Sequence, residues 1–144
     1  MSNTILKANR SYTFADYFEL NYPTEDILTE LGYRYHLARL ALPTTQREII
    51  VEGLRQTLYK RLPHVSLTSE TARREVLVAP VLFELLEYFA VKIDFEYPIY
   101  VSERLKGNID YLVRSSVTFV VVEAKKADME KGFTQLAVEL IAMD

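Results

Sequence analysis

The sequence contains no cysteine, and this absence removes several classes of function. Disulfide frameworks, zinc-thiolate sites and cysteine nucleophiles all require a thiol, and nothing in the composition indicates secretion. Long apolar runs are also absent, because no window approaches the roughly 18 apolar residues of a membrane span. The amino terminus lacks the apolar region of a signal peptide. We therefore expect a cytoplasmic protein that does not enter a membrane.

Net positive charge and histidine are also in short supply. Lysine and arginine number 17 against 20 acids, and the net charge of −3 argues against a general nucleic-acid coat protein. It does not exclude a nuclease, because only the cleft must be basic and acids there can be neutralised by metal. The two histidines, His36 and His64, lie outside the acidic motif described below, and we interpret both as non-catalytic.

What is present is the composition of one ordinary globular domain. The chain has 144 residues, of which 49% are hydrophobic and 26% charged, which is enough apolar material for one core. It contains no linker, repeat or low-complexity segment. We predict a single domain over residues 1–144, with an amino-terminal extension over 1–66 and a core over 67–144.

Hydrophobic periodicity and capping residues predict the order of the elements. The predicted helices are 11–20, 23–31, Thr45–Leu62, a helix from Ser69 to Phe89, and a helix from Asp128; the predicted strands are Tyr33–Leu42, Lys92–Val101 and a following hairpin. Pro80 should kink the long helix or begin a separate one, and Pro98 predicts an edge strand. The apolar residues expected to face inward are Leu77, Val81, Leu85 and Tyr88 on the long helix, and Met129, Phe133, Leu136 and Leu140 on the last.

The most informative part of the chain is an apolar run that ends in a glutamate and a lysine. The run Val117–Val122 leads into Glu123, and Lys125 follows two residues later. Residues i and i+2 of a strand point to the same face, so these two side chains should project together. Glutamate offers the oxygen ligands that Mg²⁺ prefers, and a neighbouring ammonium can orient or deprotonate water. The spacing indicates a metal site beside a general base.

A second acid, Asp110, reaches the same place if residues 109–122 form a hairpin. A two-residue loop at Ser115-Ser116 would place Asp110 opposite Val121 and diagonal to Glu123, roughly 7–8 Å away between backbones. A loop one residue longer or shorter would turn Asp110 to the other face. Two carboxylates at that separation can share one cation. We expect each, unpaired in a crowded acidic site, to tolerate replacement by its amide without loss of stability.

The order of these residues resembles a known nuclease superfamily. Gly107-x-x-Asp110-Tyr111, then Val-Val-Val-Glu123-Ala-Lys125-Lys126, then Gln135 on the following helix, is similar to the motif of the restriction-endonuclease-like PD-(D/E)xK superfamily. The proline that names the motif is absent, since Ile109 stands before the aspartate.

A second stretch of sequence narrows the resemblance. Ser69-Glu70-x-x-Arg73 with Pro80-x-Leu82 is similar to the opening helix of the nuclease domain at the amino end of type I restriction enzyme R subunits and their small stand-alone relatives. The resemblance covers about residues 67–144. It implies an α/β (α+β) fold, with an α-β-β-β-α core whose mixed sheet is flanked by helices, preceded by a helical and strand extension.

The function implied by the resemblance is Mg²⁺-dependent hydrolysis of DNA phosphodiester bonds by an endonuclease, with Mn²⁺ as a substitute metal. The implied metal ligands are Asp110, Glu123 and the carbonyl of Ala124, and Lys125 acts on the attacking water. The implied supporting residues are Glu70 and Gln135. The expected contacts to phosphates of the DNA backbone are Arg73, Arg74 and Lys126.

Other interpretations stay open at this point. The same fold could serve as a non-catalytic DNA- or protein-binding module, or as a nuclease subunit that works only within a larger restriction or repair assembly. Glu123 and Lys125 could mark where a strand emerges into solvent, and Asp110 could bond backbone amides near a turn.

One further expectation concerns the edge of the sheet. The superfamily core normally continues into another strand after the glutamine helix, whereas this sequence stops at Asp144. Unpaired amides along an apolar strand invite association. We therefore expect Tyr33–Leu42 to join the sheet of its own chain or of a partner, or the sequence to be a piece of a longer chain, and in either case a homo-oligomer.

Overall fold

The computed structural model describes residues 4–125 and 127–144 and shows a mixed α+β fold. In chain order its helices and strands are α1 (Phe14–Glu19), α2 (Thr24–Glu30), α3 (Glu52–Arg61), α4 (Glu70–Arg73), α5 (Ala79–Tyr88), β1 (Lys92–Ser102), β2 (Leu105–Arg114), β3 (Phe119–Val122) and α6 (Met129–Ala142). A 3₁₀ turn at Leu62–His64 follows α3, and a π-helical turn at Arg74–Val78 joins α4 to α5. Within the described residues, no helix is long and apolar enough to cross a bilayer.

The described strands form one antiparallel sheet in the order β1-β2-β3. β1 lies at an edge, as Pro98 predicts, because a residue without an N–H cannot complete a central ladder. The prediction of a mixed sheet is wrong for these strands. Each is joined to the next by a short connection, which forces antiparallel pairing, whereas a parallel pair would need a long crossover.

The hairpin between β2 and β3 has a longer loop than predicted. Arg114 pairs with Phe119 instead of Val117, so the loop is residues 115–118, closed by the Ser115 amide donating to the Thr118 carbonyl at 2.8 Å. Ser-Ser does not favour the left-handed conformations of a two-residue type I′ turn. The register therefore moves by two residues, and an even shift keeps every side chain on its predicted face.

The helix before β1 is divided where Pro80 requires it. Ser69 caps α4 as predicted, its hydroxyl accepting from the Ala72 amide at 3.0 Å. The wide turn at Arg74–Val78 then accommodates the missing N–H and the ring of Pro80. A π-turn contains one residue more than an α-helical turn, so the buried face after it falls one residue later in the sequence than a regular helix would place it. Leu82 is consequently buried and Val81 exposed, which corrects the prediction.

The core lies on both faces of β2. Leu112 faces α6 and the amino-terminal helices, whereas Tyr111 and Val113 pack on α5. The amino-terminal extension supplies much of the first cluster, with buried side chains at Leu6, Tyr12, Phe14, Tyr17, Ile27 and Leu28. Residues 11–31 form two helices as predicted, and the extension is part of the same core as the sheet.

The segment between α2 and α3 is irregular. Residues 33–51 form no helix or strand, so the prediction of a strand at Tyr33–Leu42 within the chain's own sheet is wrong. The alternation of Tyr33, Tyr35 and Leu37 has no partner strand to pack against, and strand propensity depends on that packing. The helix predicted over Thr45–Leu62 is likewise confined to α3. Association with a second chain stays a prediction.

Candidate active site

The ends of β2 and β3 bring the predicted acids together. The last paired residues are Tyr111 and Val122, and Asp110 and Glu123 occupy the next position of the ladder. Oδ2 of Asp110 accepts a hydrogen bond from the Ala124 amide at 3.0 Å. The two acids therefore lie at the same end of adjacent strands.

Glu123 and Lys125 form a buried ion pair. The Lys125 ammonium lies 2.7 Å from Oε1 of Glu123, and the side chains are 12% and 5% exposed. The alternative in which they mark a strand emerging into solvent is therefore wrong. The ammonium also lies 4.9 Å from the centre of the Phe18 ring, a cation-π contact from α1 that the sequence did not indicate. Gly132 on α6 leaves room for the lysine stem, since a Cβ there would stand 3.2 Å from Cγ of Lys125.

Asp110 is paired through both oxygens, so the expectation that it is an unpaired carboxylate is wrong. Oδ1 lies 3.0 Å from a guanidinium nitrogen of Arg74, and Oδ2 accepts from Ala124. Arg74 also pairs with Glu96 on β1, and its guanidinium lies over the Tyr111 ring. Arg74 therefore pairs with two carboxylates, and its contact with a phosphate of the DNA backbone stays a prediction. The idea that Asp110 bonds backbone amides is correct for one of its two oxygens.

Helix α6 presents polar groups to the site, contrary to the prediction of an apolar inner face. Its buried residues are Gly132, Thr134, Gln135, Val138 and Glu139. Met129, Phe133 and Leu140 are exposed, because α1 and α2 pack on the opposite stripe, where Thr24 and Thr134 join through their hydroxyls at 2.6 Å.

Gln135 links two carboxylates. Its Nε2 donates to Glu123 at 2.7 Å and to Glu139 at 2.9 Å. Glu139 is fully buried and was missed by sequence reasoning. Gln135 and Glu139 are four residues apart, a spacing that places both on one helix face, and that signal was available. One oxygen on each of these three side chains is buried and receives no hydrogen bond from a described donor while the acids are ionised: Oε2 of Glu123, Oε1 of Gln135 and Oε2 of Glu139. The Glu139 and Glu123 carboxyl groups lie close enough to hydrogen-bond when Glu139 is protonated.

Burial and crowding shift the titration of the acids. Burial raises the pKa of Asp110, although the Ala124 amide and Arg74 oppose it. Burial also raises the pKa of Glu123 against the opposing hydrogen bond from Lys125. Burial, with the charge of Glu123, raises the pKa of Glu139 to about 8. Three carboxyl groups in so dry a place are costly to ionise together unless a cation joins them.

A cleft of about 370 Å³ opens onto the Glu123–Lys125 end of this cluster. It is lined by Glu123, Ala124, Lys125, Arg73, Leu77, Val78, Met129, Gly132, Phe133 and Leu136. Among the described residues, no group of three or more histidine, cysteine, aspartate or glutamate side chains is arranged to hold a metal. The predicted ligand set is smaller, with two carboxylates and the Ala124 carbonyl. The unpartnered Oε2 of Glu123 is the feature that fits a cation.

The remaining predicted residues have different positions. Glu70 is half-buried in the first turn of α4 and does not belong to the described lining of the cleft, so its role stays a prediction. Arg73 lines the cleft and its Nε donates to the Leu67 carbonyl at 2.9 Å. Lys126 lies outside the described residues.

Comparison with known proteins adds no relative: no family model, curated protein or solved structure matches the chain.

Proposed function

We propose that this protein is a Mg²⁺-dependent endodeoxyribonuclease with a restriction-endonuclease-like core. The observation that carries the proposal is the convergence of Asp110, Glu123 and Lys125 at the ends of neighbouring strands, with a buried, unpartnered oxygen on Glu123. The order α5-β1-β2-β3-α6 supports the same assignment, because it is the core order that the motif resemblance implies.

The residues present fit a hard divalent cation. Asp110 and Glu123 would hold Mg²⁺ together with the Ala124 carbonyl, and Mg²⁺ needs few protein ligands because it retains several waters. When bound, Mg²⁺ supplies Lewis-acid polarisation of a phosphoryl oxygen and a water of lowered pKa.

Lys125 orients the reacting groups. Glu123 occupies one of its three N–H donors, which leaves two for a water and a phosphoryl oxygen of the scissile group. A donor fixed in a water-poor cleft stabilises developing negative charge more strongly than the same donor in water. The Phe18 ring covers one side of the ammonium, so the lysine is held in place from two directions.

Gln135 and Arg73 support this arrangement. Gln135 fixes the orientation of the Glu123 carboxylate by a 2.7 Å hydrogen bond, the kind of outer contact on which metal sites depend. Arg73 at the rim of the cleft is suited to a backbone phosphate, which gives affinity without sequence selection.

A non-catalytic DNA-binding module is the second candidate. The observation in its favour is that Arg74 and Ala124 already occupy both oxygens of Asp110. In that case the protein would bind DNA through groups such as Arg73 at the rim of the cleft and leave the strand intact, alone or within a larger restriction assembly.

A nicking assay on supercoiled DNA separates the two candidates. Wild type should nick DNA in Mg²⁺ and not in EDTA, and Lys125→Ala should lose the activity. Lys131→Ala is the matched control, since Lys131 on α6 donates to Asn21 at 3.0 Å and does not belong to the described lining of the cleft. Wild type that binds DNA by fluorescence anisotropy but never nicks it would favour the binding module.

A further inference from the structure

Arg74 lies between two carboxylates that come from different strands. It begins the π-helical turn, a type of irregularity that often accompanies functional sites. One guanidinium nitrogen lies 3.0 Å from Asp110 on β2, and the other pairs with Glu96 on β1. The side chain is 16% exposed and lies 5.4 Å from the centre of the Tyr111 ring. Arg74 is therefore held from three sides.

Glu96 adopts an unusual backbone conformation at the position facing Asp110. Phe95 pairs with Tyr111 and Tyr97 with Ile109, so Glu96 is the intervening residue opposite Asp110. Its φ of 49° lies in the left-handed region, which is unfavourable for a residue that carries a Cβ. The conformation interrupts the ladder at this position, where the Glu96 carboxylate meets Arg74.

Asp110 is paired with Arg74 and does not belong to the described lining of the cleft. The described residues lining the cleft include Glu123, Ala124 and Lys125 but neither Asp110 nor Arg74. Both oxygens of Asp110 are engaged, one by Arg74 and one by the Ala124 amide. A cation that uses Asp110 as a ligand must therefore meet a guanidinium already in contact with it.

We infer that Arg74 is an internal counter-ion that a divalent cation must displace from Asp110, and that Glu96 is the positioning residue that retains the displaced guanidinium. The inference rests on the proposed function, since it assumes that Asp110 is a metal ligand. Arg74 neutralises Asp110 while the metal is absent. On metal binding it keeps its bond to Glu96 and gives up its bond to Asp110, so the pair sets the metal affinity of the site.

Calorimetric titration with MgCl₂, without DNA, tests this inference independently of activity. Arg74→Gln should bind Mg²⁺ about tenfold more tightly than wild type, because the competitor for Asp110 is gone. Arg74→Lys keeps the positive charge but has one nitrogen in place of the two guanidinium nitrogens that bond Asp110 and Glu96. Its Mg²⁺ affinity should therefore lie between those of wild type and Arg74→Gln. Glu96→Gln should weaken Mg²⁺ binding, because Arg74 then has only Asp110 as a charged partner.

A double variant and a matched control separate this mechanism from a general charge effect. The effect of Glu96→Gln should disappear in the Arg74→Gln background if it acts through Arg74. Arg114→Gln removes a similar guanidinium from β2 that pairs with Asp94, and it should leave Mg²⁺ affinity unchanged.

Three results would overturn the inference. Arg74→Gln that binds Mg²⁺ no more tightly than wild type shows that Arg74 is not a competitor. If Arg74→Gln binds Mg²⁺ more tightly but Arg74→Lys has the wild-type affinity, the effect comes from net charge alone. If neither wild type nor any variant binds Mg²⁺, the proposed function fails together with the inference.

Discussion

Replacing Glu139 by glutamine should change how stability depends on pH. Glu139 is fully buried, receives one hydrogen bond from Gln135, and has its pKa raised to about 8 from an ordinary 4.5. Glutamine has the same shape and can keep a hydrogen bond with Gln135, but it cannot ionise. The substitution therefore removes a titration and leaves the packing in place.

The sign follows from proton binding. Between pH 4.5 and about 8 the folded protein holds a proton on Glu139 that the unfolded chain has released. The contribution of Glu139 to the free energy of unfolding is therefore largest below pH 4.5. It falls by roughly 1 kcal/mol per pH unit as the pH rises towards the pKa of about 8 that Glu139 has in the folded protein. From pH 5 to 7 the loss is roughly 2 kcal/mol, which corresponds to about 6 °C in Tm for a chain of this size. Glu139→Gln should lose this slope and be the more stable protein at pH 8.

Urea unfolding at pH 5, 6, 7 and 8, in EDTA to exclude metal, measures the slope. Glu130→Gln is the matched control, since Glu130 is exposed in the first turn of the same helix, and it should keep the wild-type slope. Equal slopes for wild type and Glu139→Gln would refute the claim that Glu139 is protonated in the folded protein.

The other predictions concern rate, pairing and packing. Lys125→Ala should still bind Mg²⁺ in calorimetry but cleave DNA at least about a hundredfold more slowly than wild type. Cleavage by this variant at the wild-type rate would show that Lys125 does not take part in the mechanism. Asp110→Asn should abolish Mg²⁺ binding and cost about 1–3 kcal/mol by urea unfolding, because it leaves the buried Arg74 with Glu96 as its remaining carboxylate partner among those described; unchanged stability would mean that the Arg74–Asp110 pair contributes nothing. Gly107→Ala should cost about 1–3 kcal/mol, since φ is 148° and a Cβ would stand 2.8 Å from the Phe14 ring, whereas Gly53→Ala in open space on α3 should stabilise; equal effects of the two would contradict the packing argument.

The sequence predicted the three strands of the sheet and the shared face of Asp110 and Glu123, but it was wrong on the hairpin loop and on a strand at Tyr33–Leu42. The alternation of Lys92–Val101 and the apolar run before Glu123 are direct signals of strands, and the structure confirms them. The loop length depends on the conformations of residues 115–118, which Ser-Ser does not specify. Asp110 still reaches Glu123 because the error was two residues and strand faces repeat every two.

The sequence misled where tertiary packing decides which face is buried. On α6 the apolar stripe containing Phe133 is more hydrophobic than the stripe containing Gln135 and Glu139, yet the second is buried. Gln135 and Glu139 bond each other, and Gln135 also bonds Glu123, so polar residues satisfy one another in the interior. No periodicity in one sequence could reveal the Arg74 bridge, because it joins a helix to two strands.

The initial rate of Mg²⁺-dependent nicking of supercoiled DNA by wild type and Glu123→Gln tests the central claim most directly. Glu123 bears the unpartnered buried oxygen and pairs with Lys125, and glutamine preserves its shape. We predict that wild type nicks DNA in Mg²⁺ but not in EDTA, and that a folded Glu123→Gln, verified by circular dichroism, has no measurable activity. Nicking by Glu123→Gln at the wild-type rate, or no nicking by wild type in any Mg²⁺ concentration, would contradict the account.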